Sequence, residues 1–466
     1  MNQEDSKKVK VTYIKGDTPQ ECFTNGIAKL GGISQFVEKD DIVFLKISLN
    51  IPFGFPAISN FDLVKEVILA CNKAGAKKIY IGACPTFFFS SQSIDTFMGL
   101  KSFFKNLGAE FVYLENNPTM SESINKSSNR KNFSNIKNIE IPDIIFNSDR
   151  IIILNQVNVD PLFMCNLSLV NLFSIIPQKY RELNFENENY MDIVNNDKYK
   201  SNLINNIIDV NSIIRPDLII NDFFYILEKA GPYIYKDSKL KKTNLMVMGN
   251  ETYATDVATL MTLGLNIEEN DLISALLEQD PYLENLNDIK QIRGNIEDIN
   301  LKIEPCHSIL EDIKIQNILV NSGKICSGCF LKVYHLLNFI KTLMPKDLKY
   351  LKECSLLVGA NPTEPKNKKN IILFGKCAIN TTQNYDFLTL TKMKGFKKKK
   401  EKQVQNKAII KIGGCPPNLK DGLQKIYDFF GKKSLPELNL IYKLLESSDF
   451  KKKKDNDKLR GDNLSD

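Results

Sequence analysis

Three short apolar runs in the last third of the chain each lead into a cysteine set among glycines or prolines. No other feature limits the possible folds as tightly. Asn317-Ile318-Leu319-Val320 precedes Ile325-Cys326-Ser327-Gly328-Cys329. Asn370-Ile371-Ile372-Leu373-Phe374 runs into Gly375-Lys376-Cys377-Ala378. Ala408-Ile409-Ile410-Lys411-Ile412 runs into Gly413-Gly414-Cys415-Pro416-Pro417. Apolar runs of this length, bounded by Gly, read as buried parallel strands. In an open α/β sheet the carboxyl ends of such strands share one edge, where ligands bind. Four thiols gathered there suggest a metal or iron–sulfur site. Gly328, Gly375, Gly413 and Gly414 suit it, because Gly permits close backbone approach and positive φ.

Cys326-x-x-Cys329 alone admits a structural zinc, a redox dithiol or half of a cluster site. The two remaining thiols stand singly at separate strand ends. That suits neither a dithiol nor the two close-spaced pairs of a usual zinc site. Cys306-His307 and Cys354 are candidate further ligands or ordinary residues, and His335 reads as a surface or interface histidine. Cys84 precedes Pro85 after a strand and is either a reactive thiol or a small buried residue.

The length of 466 residues calls for two or three domains, and 43% hydrophobic content is ample for their cores. The net charge of +7 is concentrated in the lysine runs 397–400 and 451–454. With no aromatic residues among the lysines, those runs form no base-stacking platform, so nucleic acid is not an expected partner. No segment has the ~18 apolar residues of a membrane span. Ten cysteines in a chain this long point to a reducing cytoplasm rather than a disulfide scaffold.

Along the chain, a strand at Ile42–Ser48 is followed by a helical stripe between Phe61 and Ala74, ended by Gly75. The strand Lys78–Gly82 then completes one βαβ unit. A helix from about Ile94 to Asn106 follows, then strands at 110–114, 150–154, 218–220 and 245–248, and a helix from Thr252 to Leu263. Residues 182–200, rich in Asn and Glu, read as an exposed excursion. The expected fold is α/β, with two domains, each a mainly parallel sheet with flanking helices. An N-terminal extension covers 1–37, the first domain 38–310, a cysteine-rich domain 311–448, and a disordered basic tail 449–466. Lys46 inside an apolar strand and Asp256 inside a helix break local rules, as functional residues often do. A structural pairing of Lys46 with Asp222 or Asp256 is the alternative.

Residues 38–295 resemble the family known as domain of unknown function 362. The resemblance is carried by Val43–Asn50, Ala74–Ile79, Asn221-Asp222 with Glu228–Pro232, Asn250–Gly264 and Asp288–Gly294. It implies an α/β domain of unsettled activity, often joined to iron–sulfur modules. Its polar motif residues here are Lys46, Asn50, Asp222, Glu228 and Asp256; of these Lys46, Asp222, Glu228 and Asp256 form a candidate catalytic set for proton transfer or for holding a metal. The family's central Pro-Lys and Lys-x-His stretch is replaced by Asn155–Asp160, and its later Lys-Asn pair by Val170-Asn171. The basic groups that could hold an anion are therefore missing.

The order CxGC, GxC, GCPP resembles the proximal-cluster ligands of nickel–iron hydrogenase small subunits, whose complex I relative also ends in GCPP. This resemblance implies a 4Fe–4S cluster on Cys326, Cys329, Cys377 and Cys415 at the edge of a flavodoxin-like domain. The expected function is that of an iron–sulfur redox protein, a candidate oxidoreductase. Its partner is an electron-transfer protein or a small-molecule substrate, with neither nucleic acid nor membrane. The competing expectation is a non-enzymatic binding protein with a structural zinc. The glutamate usual before the first hydrogenase cysteine is absent; Ser322-Gly323-Lys324 stands there.

Overall fold

The computed structural model describes residues 9–85, 88–123, 138–235, 238–279, 301–366, 369–388, 408–431 and 435–441. The segment 288–294, both lysine runs and the tail from 449 lie outside them. The chain forms two compact units. One comprises Met1–Glu182 and Asn202–Cys306, the other Leu183–Ser201 and His307–Asp466.

The first unit is built on a seven-stranded sheet. Its strands in chain order are β1 (Val11–Lys15), β2 (Ile42–Ile47), β3 (Lys78–Gly82), β4 (Glu110–Val112), β5 (Arg150–Gln156), β6 (Leu218–Asp222) and β9 (Leu245–Gly249). Between the last two lies a hairpin of β7 (Tyr225–Glu228) and β8 (Lys239–Lys242). The order across the sheet is β1-β9-β6-β5-β2-β3-β4. The inner pairs are parallel, and β9 runs antiparallel to both β6 and β1. β6 and β9 are buried along their whole length, as expected of strands covered on both faces.

From β2 the chain builds outward to β3 and β4, then returns to place β5 and β6 on the other side. The carboxyl ends of β2 and β5 therefore flank a topological switch point, where open α/β sheets bind ligands. The stretch read as an N-terminal extension supplies β1 and a helix, Pro19–Lys29.

Helix Phe61–Ala74 follows its sequence signals. The Asn60 side chain accepts from Asp62 N–H, and Gly75 closes the helix in the left-handed region at φ 95°. Leu63, Val64, Val67, Ile68 and Cys71 are its buried face. The single helix expected over 94–106 is instead two, Ser91–Met98 and Leu100–Asn106. They are broken at Gly99, whose φ of 68° no helix accommodates.

The second unit holds a four-stranded parallel sheet of β10 (Ile318–Ser322), β11 (Cys354–Val358), β12 (Asn370–Phe374) and β13 (Ala408–Ile412). Helices Ser327–Leu343, Gly375–Thr381 and Leu419–Phe430 belong to it. The strands stand in chain order. The reversal beside the first strand that marks a flavodoxin-like sheet is not seen among the described strands. His335, expected at the surface or an interface, is buried within its own unit, because helix Ser327–Leu343 is covered nearly all round.

Candidate functional site

The thiols of the second unit come from three chain segments. Cys326 is the N-cap of helix Ser327–Leu343, and Cys329 lies in its first turn. Cys377 follows β12 by way of Gly375, and Cys415 follows β13. All four are free and buried.

A side-chain hydrogen bond with Cys329 and the backbone N–H groups of Cys329 and Gly328 hold Cys326 below the ordinary thiol range. Cys329 is pushed well above the ordinary thiol range by that same bond and by burial, with the charges of Cys326, Cys377 and Cys415 adding to the effect. Burial pushes Cys377 up to about 12 and Cys415 up to about 11, with Cys415 acting on the former and Cys326 on both. Each thiol thus lies in the electrostatic field of others in the set.

Gly375 stands in the left-handed region at φ 92°, and a Cβ on it would come 3.1 Å from Cys329 Sγ. The backbone there approaches the thiol so closely that a Cβ would crowd the sulfur. The donor chemistry, four soft thiolates, suits zinc or iron–sulfur. Among the described residues no group of three or more His, Cys, Asp or Glu is placed to hold a metal ion. Cys306 and Cys354 are buried core residues.

In the first unit a polar network fills the switch point. Lys46, at the end of β2, is fully buried and donates from Nζ to Ile47 O (2.9 Å) and Asn171 Oδ1 (2.5 Å). The Asn171 amide donates to Asn155 Oδ1 (3.0 Å), and the Asn155 amide donates to Asn221 Oδ1 (3.0 Å). Asn221 in turn donates to Asp256 Oδ1 (2.8 Å).

The orientation of every amide follows from the two ends. An ammonium only donates and a carboxylate only accepts, so each amide must point its oxygen toward Lys46 and its NH2 toward Asp256. The result is a directional row of three amides linking a buried cation to a buried anion. Asp256 is held further by Ser168 N–H (3.0 Å), the Ser168 hydroxyl (2.6 Å) and Leu169 N–H (2.9 Å). Burial pushes Lys46 down to about 7, with the Cys84 thiol opposing and Arg181 reinforcing the shift. Burial pushes Asp256 up to about 6 against its hydrogen bonds, which favour the charged form.

Of the four sequence-predicted residues, Lys46 and Asp256 are thus joined. Asp222 and Glu228 are not part of this row. In the parallel register Asn221 pairs with Asn155 and Asp222 with Gln156, so Asp222 points to the opposite sheet face. There its Oδ1 accepts from Phe224 N–H (3.0 Å), Oδ2 has no donor among the described residues, and burial raises the group to about 7. Glu228 belongs to the hairpin, where it accepts from Glu304 N–H (2.9 Å) and lies 3.6 Å from Lys241. Cys84 is buried, and burial pushes its thiol up to about 12, a direction that disfavours the thiolate.

The sequence alone presents Asn155 and Asn171 only as losses of basic groups. The signal available is Asn155 and Asn221 near the ends of apolar strands, with Asn171 in the apolar helix Ser168–Phe173, where a polar side chain needs a partner.

Residues 43–261 match the family model described as Domain of unknown function (DUF362). The match covers the sheet from β2 to β9 and both ends of the amide row, and stops short of all four thiols. No curated protein matches the chain. No helix among the described residues is long and apolar enough to cross a membrane.

Proposed function

We propose that the second unit holds a 4Fe–4S cluster on Cys326, Cys329, Cys377 and Cys415, and that the protein is a redox protein. The reading is carried by one observation: four buried thiols from three chain segments lie in one another's field at the carboxyl ends of parallel strands. A cluster so held supplies single-electron transfer.

The chain's own part is to keep the thiols close and largely dry, with Gly375 shaped around Cys329 and backbone N–H groups directed at Cys326. Those N–H groups favour the thiolate that a metal requires. In the first unit the Lys46–Asp256 row holds the switch point in one conformation beneath a ligand-binding or catalytic surface. Its substrate is a small molecule, and the electron partner is that substrate or another protein. Ten free buried thiols suit a reducing compartment, the cytoplasm.

Anaerobically prepared protein is expected to contain iron and acid-labile sulfide and to bleach reversibly on reduction. Cys377→Ser and Cys415→Ser should each lower iron sharply, while Cys22→Ser and Cys71→Ser leave it unchanged. A colourless protein carrying one zinc per chain sinks the redox reading.

A further inference from the structure

The stretch Leu183–Ser201 interrupts the sequence of the first unit yet belongs to the second. It meets all three thiol-bearing segments, each at a ligand or at its immediate neighbour. Phe185 N–H donates to the carbonyl of Cys415 (2.8 Å). Lys376, beside Cys377, donates from Nζ to the carbonyls of Glu186 (2.6 Å) and Glu188 (3.3 Å).

Asp197 caps the helix that carries the first two thiols. Its Oδ1 accepts from Ser327 N–H (2.9 Å) and its Oδ2 from the Ser327 hydroxyl. The Tyr199 ring lies so close to Gly328 that a Cβ there would come within 2.6 Å of it. Lys324, just ahead of Cys326, donates to Asn195 Oδ1 (2.7 Å).

Asp197 itself has a φ of 40°, a positive value that Asp adopts more readily than most side chains. Its charge reaches Cys326, and that of Lys376 reaches Cys377 and Cys415. The segment therefore contributes both fastening and charge.

We propose that Leu183–Ser201 is a built part of the metal site, a clamp across its three thiol segments. Within it Asp197 is a positioning residue whose carboxylate lowers the reduction potential of the bound cluster. The proposal rests on the cluster reading above. An added electron makes the centre more negative, so a nearby anion disfavours reduction and a nearby cation favours it. Asp197 and Lys376 must then act with opposite sign.

The test uses the full chain, reconstituted anaerobically with ferrous iron and sulfide. It measures iron per chain, midpoint potential, the rate of iron loss to a chelator, and melting of the metal-free protein. Asp197→Asn keeps an acceptor for Ser327 N–H and removes the charge. It should hold the same iron as the wild type at a more positive potential. Lys376→Met should shift the potential negative. Asp197→Ala, which removes the cap as well as the charge, should lose iron several-fold faster than Asp197→Asn.

Potentials of Asp197→Asn and Lys376→Met equal to that of the wild type overturn the proposal. So does a lowered metal-free melting temperature with unchanged potentials, since that marks a strap that only supports the fold. A wild type that takes up neither iron nor sulfide overturns the cluster reading, and this proposal with it. That outcome is distinguishable because wild type and variants then behave alike.

Discussion

At the scale of single residues, the amide row makes a sharp claim about Asn155. It donates to Asn221 and accepts from Asn171 and from the Ser48 hydroxyl (3.2 Å). Asn155→Ala leaves a buried donor on one side and a buried acceptor on the other. The expected loss is about 3 kcal/mol, read as a lower urea midpoint for the first unit. Asn155→Asp should do no better, because it presents an acceptor where Asn221 also presents one.

Asp222 makes a second claim. Its register partner Gln156 donates from Nε2 to Tyr225 O (2.9 Å), which fixes that amide and leaves a buried Oε1 without a donor. Protonated, Asp222 would carry a donor on the sheet face that also holds Gln156 Oε1. Its folded value of about 7 lies above the unfolded 3.8, so its contribution is fully present below pH about 4 and is lost as pH rises to about 7. Asp222→Asn should therefore gain on the wild type across that window and then level off. The difference is at most about 4 kcal/mol in unfolding free energy, since each tenfold change in proton affinity is worth about 1.4 kcal/mol. A constant difference from pH 4 to 8 counts against a protonated Asp222.

At this scale the sequence was informative about Lys46 and Asp256, because each violates a local rule that a reader can state. It was uninformative about the asparagines between them. An amide at a strand end is equally consistent with a turn, a lost ligand or a buried bridge, and only the register decides.

At the scale of elements, punctuation by glycine carried most of what could be read. Gly75 ends its helix where expected, and the stripe on Leu63, Val67 and Ile68 is buried. Gly99 did not stand out, because an isolated glycine inside an apolar pattern does not disclose its φ. Gly375 is the element-scale test of the thiol site. A side chain there meets both the left-handed backbone and the Cys329 sulfur at 3.1 Å. Gly375→Ala should cost about 1–2 kcal/mol through backbone strain alone. It should also reduce iron per reconstituted chain while leaving the first unit's unfolding transition in place. Iron content equal to the wild type's would show that the backbone approach at Gly375 does not shape the site.

At the scale of the whole molecule, the α/β class and the parallel sheets were legible from run length and spacing, and residues 43–261 bear out the family resemblance there. The strand order of the second sheet was not legible, because four similar apolar runs carry no mark of which neighbours they take. The membership of Leu183–Ser201 was hidden for a related reason. Its Asn and Glu residues look solvated when read in a line, and the groups they meet lie far downstream in the chain.

That separation bears on the order of synthesis. Chains emerge from the ribosome N-terminal end first. The segment with Phe185 and Asp197 is made long before Cys326, Cys377 and Cys415 exist to meet it. A nascent chain can finish every strand of its first sheet and still lack all four thiols. On the cluster reading proposed above, metal loading therefore waits until β13 and Cys415 have left the exit tunnel, and a message truncated before that point yields a chain short of a thiol.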